Sequence, residues 1–217
     1  MSEERMSLSK RILRSLYSPR KNFESIKGND LGRGLLIIAI IAVVSAWAGY
    51  NYSFKLPMAP IPGLGQNSRF QNLDTFRTNM AIIMALGGGI GVVTEWIVLS
   101  IFIFLAGRLI IGVGSFRRML ALTAFSSTPL IMQQVLRLID SYTVSERILL
   151  SMVSAGSSAR NLLFSQVLSI FTIFGLWSFA IVMVAVSVIY NTSKKRAFAA
   201  TLTAYILFIL LRTFTPL

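Results

Sequence analysis

Histidine and cysteine are both missing from the 217 residues, and only 8 residues are acidic. Without histidine there is no haem-ligating pair, no zinc metalloprotease helix and no serine–histidine intramembrane protease. Without cysteine there is no thiol chemistry, no iron–sulfur ligation and no disulfide framework. The three aspartates, Asp30, Asp74 and Asp140, fall outside the apolar runs or at their ends, so a paired-aspartate intramembrane protease is unsupported. Gly112-Val113-Gly114 looks like a fragment of a phosphate loop but lacks the preceding strand and the following Gly-Lys-Ser. These absences argue against an enzyme. No catalytic, cofactor-binding or metal-binding residue is assigned.

What is present is apolar and clustered. Hydrophobic residues make up 54% of the chain and charged ones 13%, where a soluble domain carries about 25% charged residues. A spanning helix needs about 20 mostly apolar residues. Five runs approach or exceed that: 35–52, 80–107, 119–136, 162–190 and 197–211. The last is the shortest, and Lys194, Lys195, Arg196 and Arg212 flank it, placed to snorkel towards the two interfaces. The pattern predicts an all-α integral membrane protein, a five-helix bundle at 34–217 preceded by a short amphipathic cytoplasmic leader at 1–33. The leader is polar and carries no cleavable signal, so the first run is expected to act as an uncleaved signal anchor.

The net charge of +13 is distributed by location. The leader, the connector after the second run and the one after the fourth together hold fourteen Lys and Arg, and the opposite side holds seven. Positive charge is retained on the cytoplasmic side, so the N-terminus is expected inside and the C-terminus outside, with the cell membrane as location. The bilayer is thus the first partner. No aromatic-interleaved basic surface suits nucleic acid. Of the outer loops, 53–79 is rich in Pro and Gly and 141–161 in Ser, and neither carries a cluster of ligand-type residues.

Within the leader, Leu8, Ile12, Leu13 and Leu16 follow helical spacing, with Lys10, Arg11 and Arg14 on other faces. That pattern suits an amphipathic helix lying on anionic lipid. Ser18-Pro19 starts a second short helix, with Phe23 and Ile26 on its apolar edge. The leader is either a passive anchor or a docking surface for a protein partner, and a homo-oligomer is also open.

Glu95 is the only charge in the second run. An ionised carboxylate at the bilayer centre costs roughly 2.5–3.5 kcal/mol, so it should face the bundle, find a donor or stay protonated. Matching depths between the second and third runs places Gln133 and Gln134 within about a turn of it. Pro129 cannot donate to the carbonyl of Phe125, and Ser126, Ser127 and Thr128 are placed to satisfy that acceptor. The candidate intramembrane polar site is therefore Glu95, Thr128, Pro129, Gln133 and Gln134. It is either interhelical glue or a proton or ligand site. Gly87 and Gly91 have small-xxx-small spacing and read as packing residues. Trp47, Tyr50 and Tyr52 suit an outer interfacial belt.

The order of these features resembles the Yip family of five-span proteins, named for interaction with Ypt/Rab GTPases. Leu16-Tyr17-Ser18-Pro19-Arg20-Lys21-Asn22-Phe23 is similar to the "fSPrraF" entry of prokaryotic relatives. Gly107-Arg108-Leu109, running to Gly112-Val113-Gly114-Ser115-Phe116-Arg117-Arg118, looks like the family's glycine-basic connector. It leads into Ala124-Phe125-Ser126-Ser127-Thr128-Pro129, similar to the "ya.sP" segment, and the Lys194-Lys195-Arg196-Ala197 turn also fits. The resemblance covers roughly residues 12 to 213. It implies a non-enzymatic scaffold or adaptor in membrane organisation or trafficking-like processes, and supplies no catalytic residues. The leader is short and a "DLYGP"-like segment is missing, so a Rab-type GTPase partner is doubtful and the prokaryotic branch fits better. The alternative is a small transporter or channel subunit using Glu95.

Overall fold

The computed structural model describes residues 7–55, 73–144 and 172–214. Two short helices come first, α1 (Leu8–Tyr17) and α2 (Pro19–Ser25), followed by a 3-10 turn at Gly28–Asp30. Six longer helices follow: α3 (Leu31–Lys55), α4 (Leu73–Ile110), α5 (Phe116–Ser126), α6 (Thr128–Thr143), α7 (Ile173–Ile189) and α8 (Lys194–Phe214). No strand occurs among the described residues. The all-helical expectation holds.

Three helices are long and apolar enough to cross a bilayer: Gly28–Lys55, Asp74–Ile110 and Lys194–Phe214. The pair α5 and α6 raises the number to four if it is one broken span. The described part of the fourth expected span is α7, 17 residues long, and 162–171 lies outside the described residues, as does most of both outer loops. So the described helices give three to four candidate spans rather than the expected five.

Helices outrun the apolar runs because a backbone cannot end inside hydrocarbon without stranding its terminal polar groups. The first run, expected at 35–52, lies within the 25-residue α3. Residues 73–79, expected as loop, form the first turns of α4. With 38 residues, α4 is about 57 Å long, well beyond a hydrocarbon core of about 30 Å. The third run is not one continuous helix. It bends by 44° between α5 and α6, at the turn before Pro129, whose ring and missing N–H interrupt the helical ladder.

The centre of the bundle is α3, packed against α4, α5 and α6. Its approach to α4 is close. A Cβ on Gly49 would sit 2.8 Å from the Met84 carbonyl oxygen, and one on Gly88 would sit 3.1 Å from that of Ser45. Gly87 and Gly91, the expected packing pair, have open space where a Cβ would project. The contact therefore uses the neighbouring face of α4.

One end of the bundle gathers the starts of α3, α5 and α8 with the ends of α4 and α7. Arg117 lies against Gly28, and Tyr190 lies against Gly107 and Gly114. The opposite end ties α3 to α6. Lys55 donates from Nζ to the carbonyls of Tyr142 at 2.7 Å and Val144 at 2.9 Å, capping the end of α6. Beside it the Tyr52 hydroxyl donates to Asp140 Oδ2 at 2.6 Å, while Trp47 and Tyr50 of the expected belt are exposed.

Candidate functional site

Two groups of polar residues stand out, one inside the bundle and one where the leader meets it. Glu95 is partly exposed, and its carboxylate forms an ion pair with Arg212 of α8 at 3.1 Å. The two helices run antiparallel, since Ile103 and Ala106 of α4 share a core with Ala197 and Ala200 at the start of α8. Arg212, expected as an outer flanking charge, instead reaches the carboxylate from the last turn of α8. A guanidinium supplies the donor that an intramembrane carboxylate requires.

The other residues of the expected patch take separate duties. The Thr128 hydroxyl donates to the Phe125 carbonyl at 2.6 Å, satisfying the acceptor that Pro129 leaves unpaired. Pro129 itself is buried in the first turn of α6. Gln133 Oε1 accepts from the hydroxyl of Thr172 at 3.4 Å, at the cap of α7. Gln134 Oε1 is buried and has no hydrogen-bond partner among the described residues. Glu95 is thus tied to α8, Thr128 to the bend and Gln133 to α7.

A polar seam between α4 and α5 does exist, built from Trp96, Ser100 and Thr123 rather than from the expected patch. The Trp96 indole donates from Nε1 to Thr123 Oγ1 at 3.2 Å, and the hydroxyls of Ser100 and Thr123 are 2.7 Å apart. All three residues are buried. The available signal was the i,i+4 spacing of Trp96 and Ser100, which puts both on one face. Ser178 of α7 adds a bond to the Ser126 carbonyl at 3.0 Å. These are interhelical ties of the kind worth about 0.6–2 kcal/mol each.

At the basic end the leader is part of the fold. Phe23 and Ile26 are fully buried in the same core as Ile37, Leu122 and Phe125, and Leu8 and Ile12 pack on its margin. Arg118 of α5 donates from Nε to the Ile26 carbonyl at 3.0 Å and from Nη2 to the Phe23 carbonyl at 3.3 Å. It therefore satisfies the Ile26 carbonyl and shares the Phe23 carbonyl with the Ile26 N–H that closes α2. Arg11, expected on a polar face of the amphipathic helix, is buried instead; it pairs with Asp30 at 3.1 Å, and Arg33 approaches the same carboxylate at 3.5 Å. The Asn22 amide joins α2 to α1 through the Arg11 carbonyl at 3.1 Å and Ser15 Oγ at 2.8 Å. Leu13 and Tyr17 face outward, more than half exposed.

The family model for the Yip1 domain matches residues 13–214. The chain belongs to the Yip1 domain family. It is similar to "Membrane protein YknW" of Bacillus subtilis (strain 168), 28% identical over 205 residues that cover 92% of this chain and 86% of that one. No solved structure matches the chain. In this Yip1-domain protein the glycine-basic connector has a clear structural use. The Tyr190 ring sits where side chains on Gly107 and Gly114 would project, and its hydroxyl donates to the Phe104 carbonyl at 3.0 Å. Only glycine leaves room for that ring at both positions. Gly112 between them has φ +137°, a conformation that glycine adopts without strain.

Proposed function

We propose that this Yip1-domain protein is a five-span, non-enzymatic membrane adaptor whose docked leader presents a preformed surface to a protein partner. The observation that carries the reading is the leader's attachment. Buried Phe23 and Ile26, together with Arg118 on two carbonyls, hold α2 against the bundle. A surface held in place before binding avoids part of the ordering entropy that a flexible tail would lose on association. Lys10, Leu13, Arg14, Tyr17 and Lys21 remain exposed on it, offering both apolar and cationic contacts.

Five spans follow if α5 with α6 is one broken crossing and α7, capped at Thr172, is another. Each helix from α3 to α8 then alternates direction, counting that pair once. The gathering of basic segments at one end supports a cytoplasmic leader. The adaptor reading is tested by photo-crosslinking from Tyr17 in native membranes. A discrete crosslinked protein supports it; crosslinking to lipid alone rejects it.

A transport role for Glu95 is favoured by one observation, the partial exposure of the Glu95–Arg212 pair on the bundle surface. Ion or proton flux in proteoliposomes that disappears in Glu95→Gln would establish that role in place of the adaptor.

A further inference from the structure

We propose that the groove between α2, the end of α7 and the start of α8 binds the headgroup of an anionic phospholipid. The groove has a volume of about 210 Å³. Pro19, Met183 and Val184 line it with apolar surface, and Arg20, Lys194, Ser18 and Ser187 supply two cations and two hydroxyls. It lies at the end of the bundle where a chain leaving α7 turns back into α8, which is the level of a lipid headgroup if both helices cross. Arg20 also pairs with Glu24, through Nε to Oε1 at 3.1 Å, with both side chains more than half exposed. Such an exposed pair is weak, and the guanidinium has five N–H donors, of which that bond uses one.

Charge complementarity alone would suit any phosphate. The surface below the groove selects a lipid. Lys194, Phe198 and Leu202 fall at i, i+4 and i+8, one face of α8. Phe198 is 46% and Leu202 40% exposed, so the cation stands at the head of an open apolar stripe. An acyl chain along that stripe and a phosphate between Arg20 and Lys194 fit one amphiphile. The site is independent of whether the leader binds a protein.

The test uses the full-length protein in detergent, with phosphatidylglycerol and phosphatidylcholine as probes and native mass spectrometry as readout. Phosphatidylglycerol should bind with a defined stoichiometry and resist competition by inorganic phosphate. Each neutralised cation should weaken it about fivefold, so that Arg20→Gln/Lys194→Gln loses roughly 25-fold. Arg108→Gln/Arg137→Gln removes the same charge outside the groove and should change binding less than about twofold. Melting midpoints establish that both double variants are folded. If Arg20→Gln/Lys194→Gln does not fold, Lys194→Gln alone must still show the fivefold loss. Equal losses in the two double variants, equal binding of phosphatidylcholine, or displacement by inorganic phosphate would each overturn the proposal.

Discussion

Removing the two partners of the Glu95–Arg212 pair one at a time should give unequal results. Glu95 lies twelve residues from Gly107, about 18 Å along the helix from the basic end, and so beyond the middle of a core about 30 Å thick. Arg212 is two residues from the end of α8. In Glu95→Gln the freed guanidinium can swing outward to the interface, and the loss should be about 0–1 kcal/mol. In Arg212→Gln the carboxylate has no such exit and must stay charged in hydrocarbon or bind a proton, at a loss of up to about 2.5–3.5 kcal/mol. The double variant should recover most of that loss, because neither charge remains. Reversible unfolding in bicelles measures all four corners of the cycle. Equal single-variant losses, or a coupling below about 0.5 kcal/mol, would refute this account of the pair.

Arg118→Ala should strip two carbonyls of a charged donor and loosen the leader by about 1.5–3 kcal/mol, seen as faster limited proteolysis before residue 31 with the bundle intact. Gly49→Ala should cost about 1–3 kcal/mol because its Cβ meets backbone. Gly87→Ala, facing open space, should be neutral or stabilising by up to about 1 kcal/mol, and thermal unfolding of the two compares them. Because the chain contains no cysteine, single introduced thiols report its topology. A membrane-impermeant maleimide should label Thr143→Cys in intact cells and Lys195→Cys only after permeabilisation, and the reverse pattern would invert the proposed orientation.

Features governed by the local chain were legible in the sequence. Pro129 lacks an N–H, so an acceptor had to be stranded four residues earlier, and a nearby hydroxyl had to meet it; Thr128 does so at Phe125. Features governed by helix rotation and neighbour choice were not. Small-residue spacing marks Gly87 and Gly91, but it carries no information about which side of α4 meets α3, and the close contact falls on Gly49 and Gly88. Depth matching between the second and third runs ignored the eighth helix, which is antiparallel to α4 and brings Arg212 to Glu95. The leader was legible as two amphipathic helices. Its docking was not, because Arg11 and Arg118 look like solvated cations until Asp30 and the carbonyls of Phe23 and Ile26 are placed beside them.

The central claim is that the leader is a fixed part of the bundle, and hydrogen exchange tests it most directly. In lipid nanodiscs the amides of 22–26 should exchange slowly in the wild-type protein and markedly faster in Arg118→Ala. Exchange of those amides at unstructured-peptide rates in the wild-type protein would contradict the account.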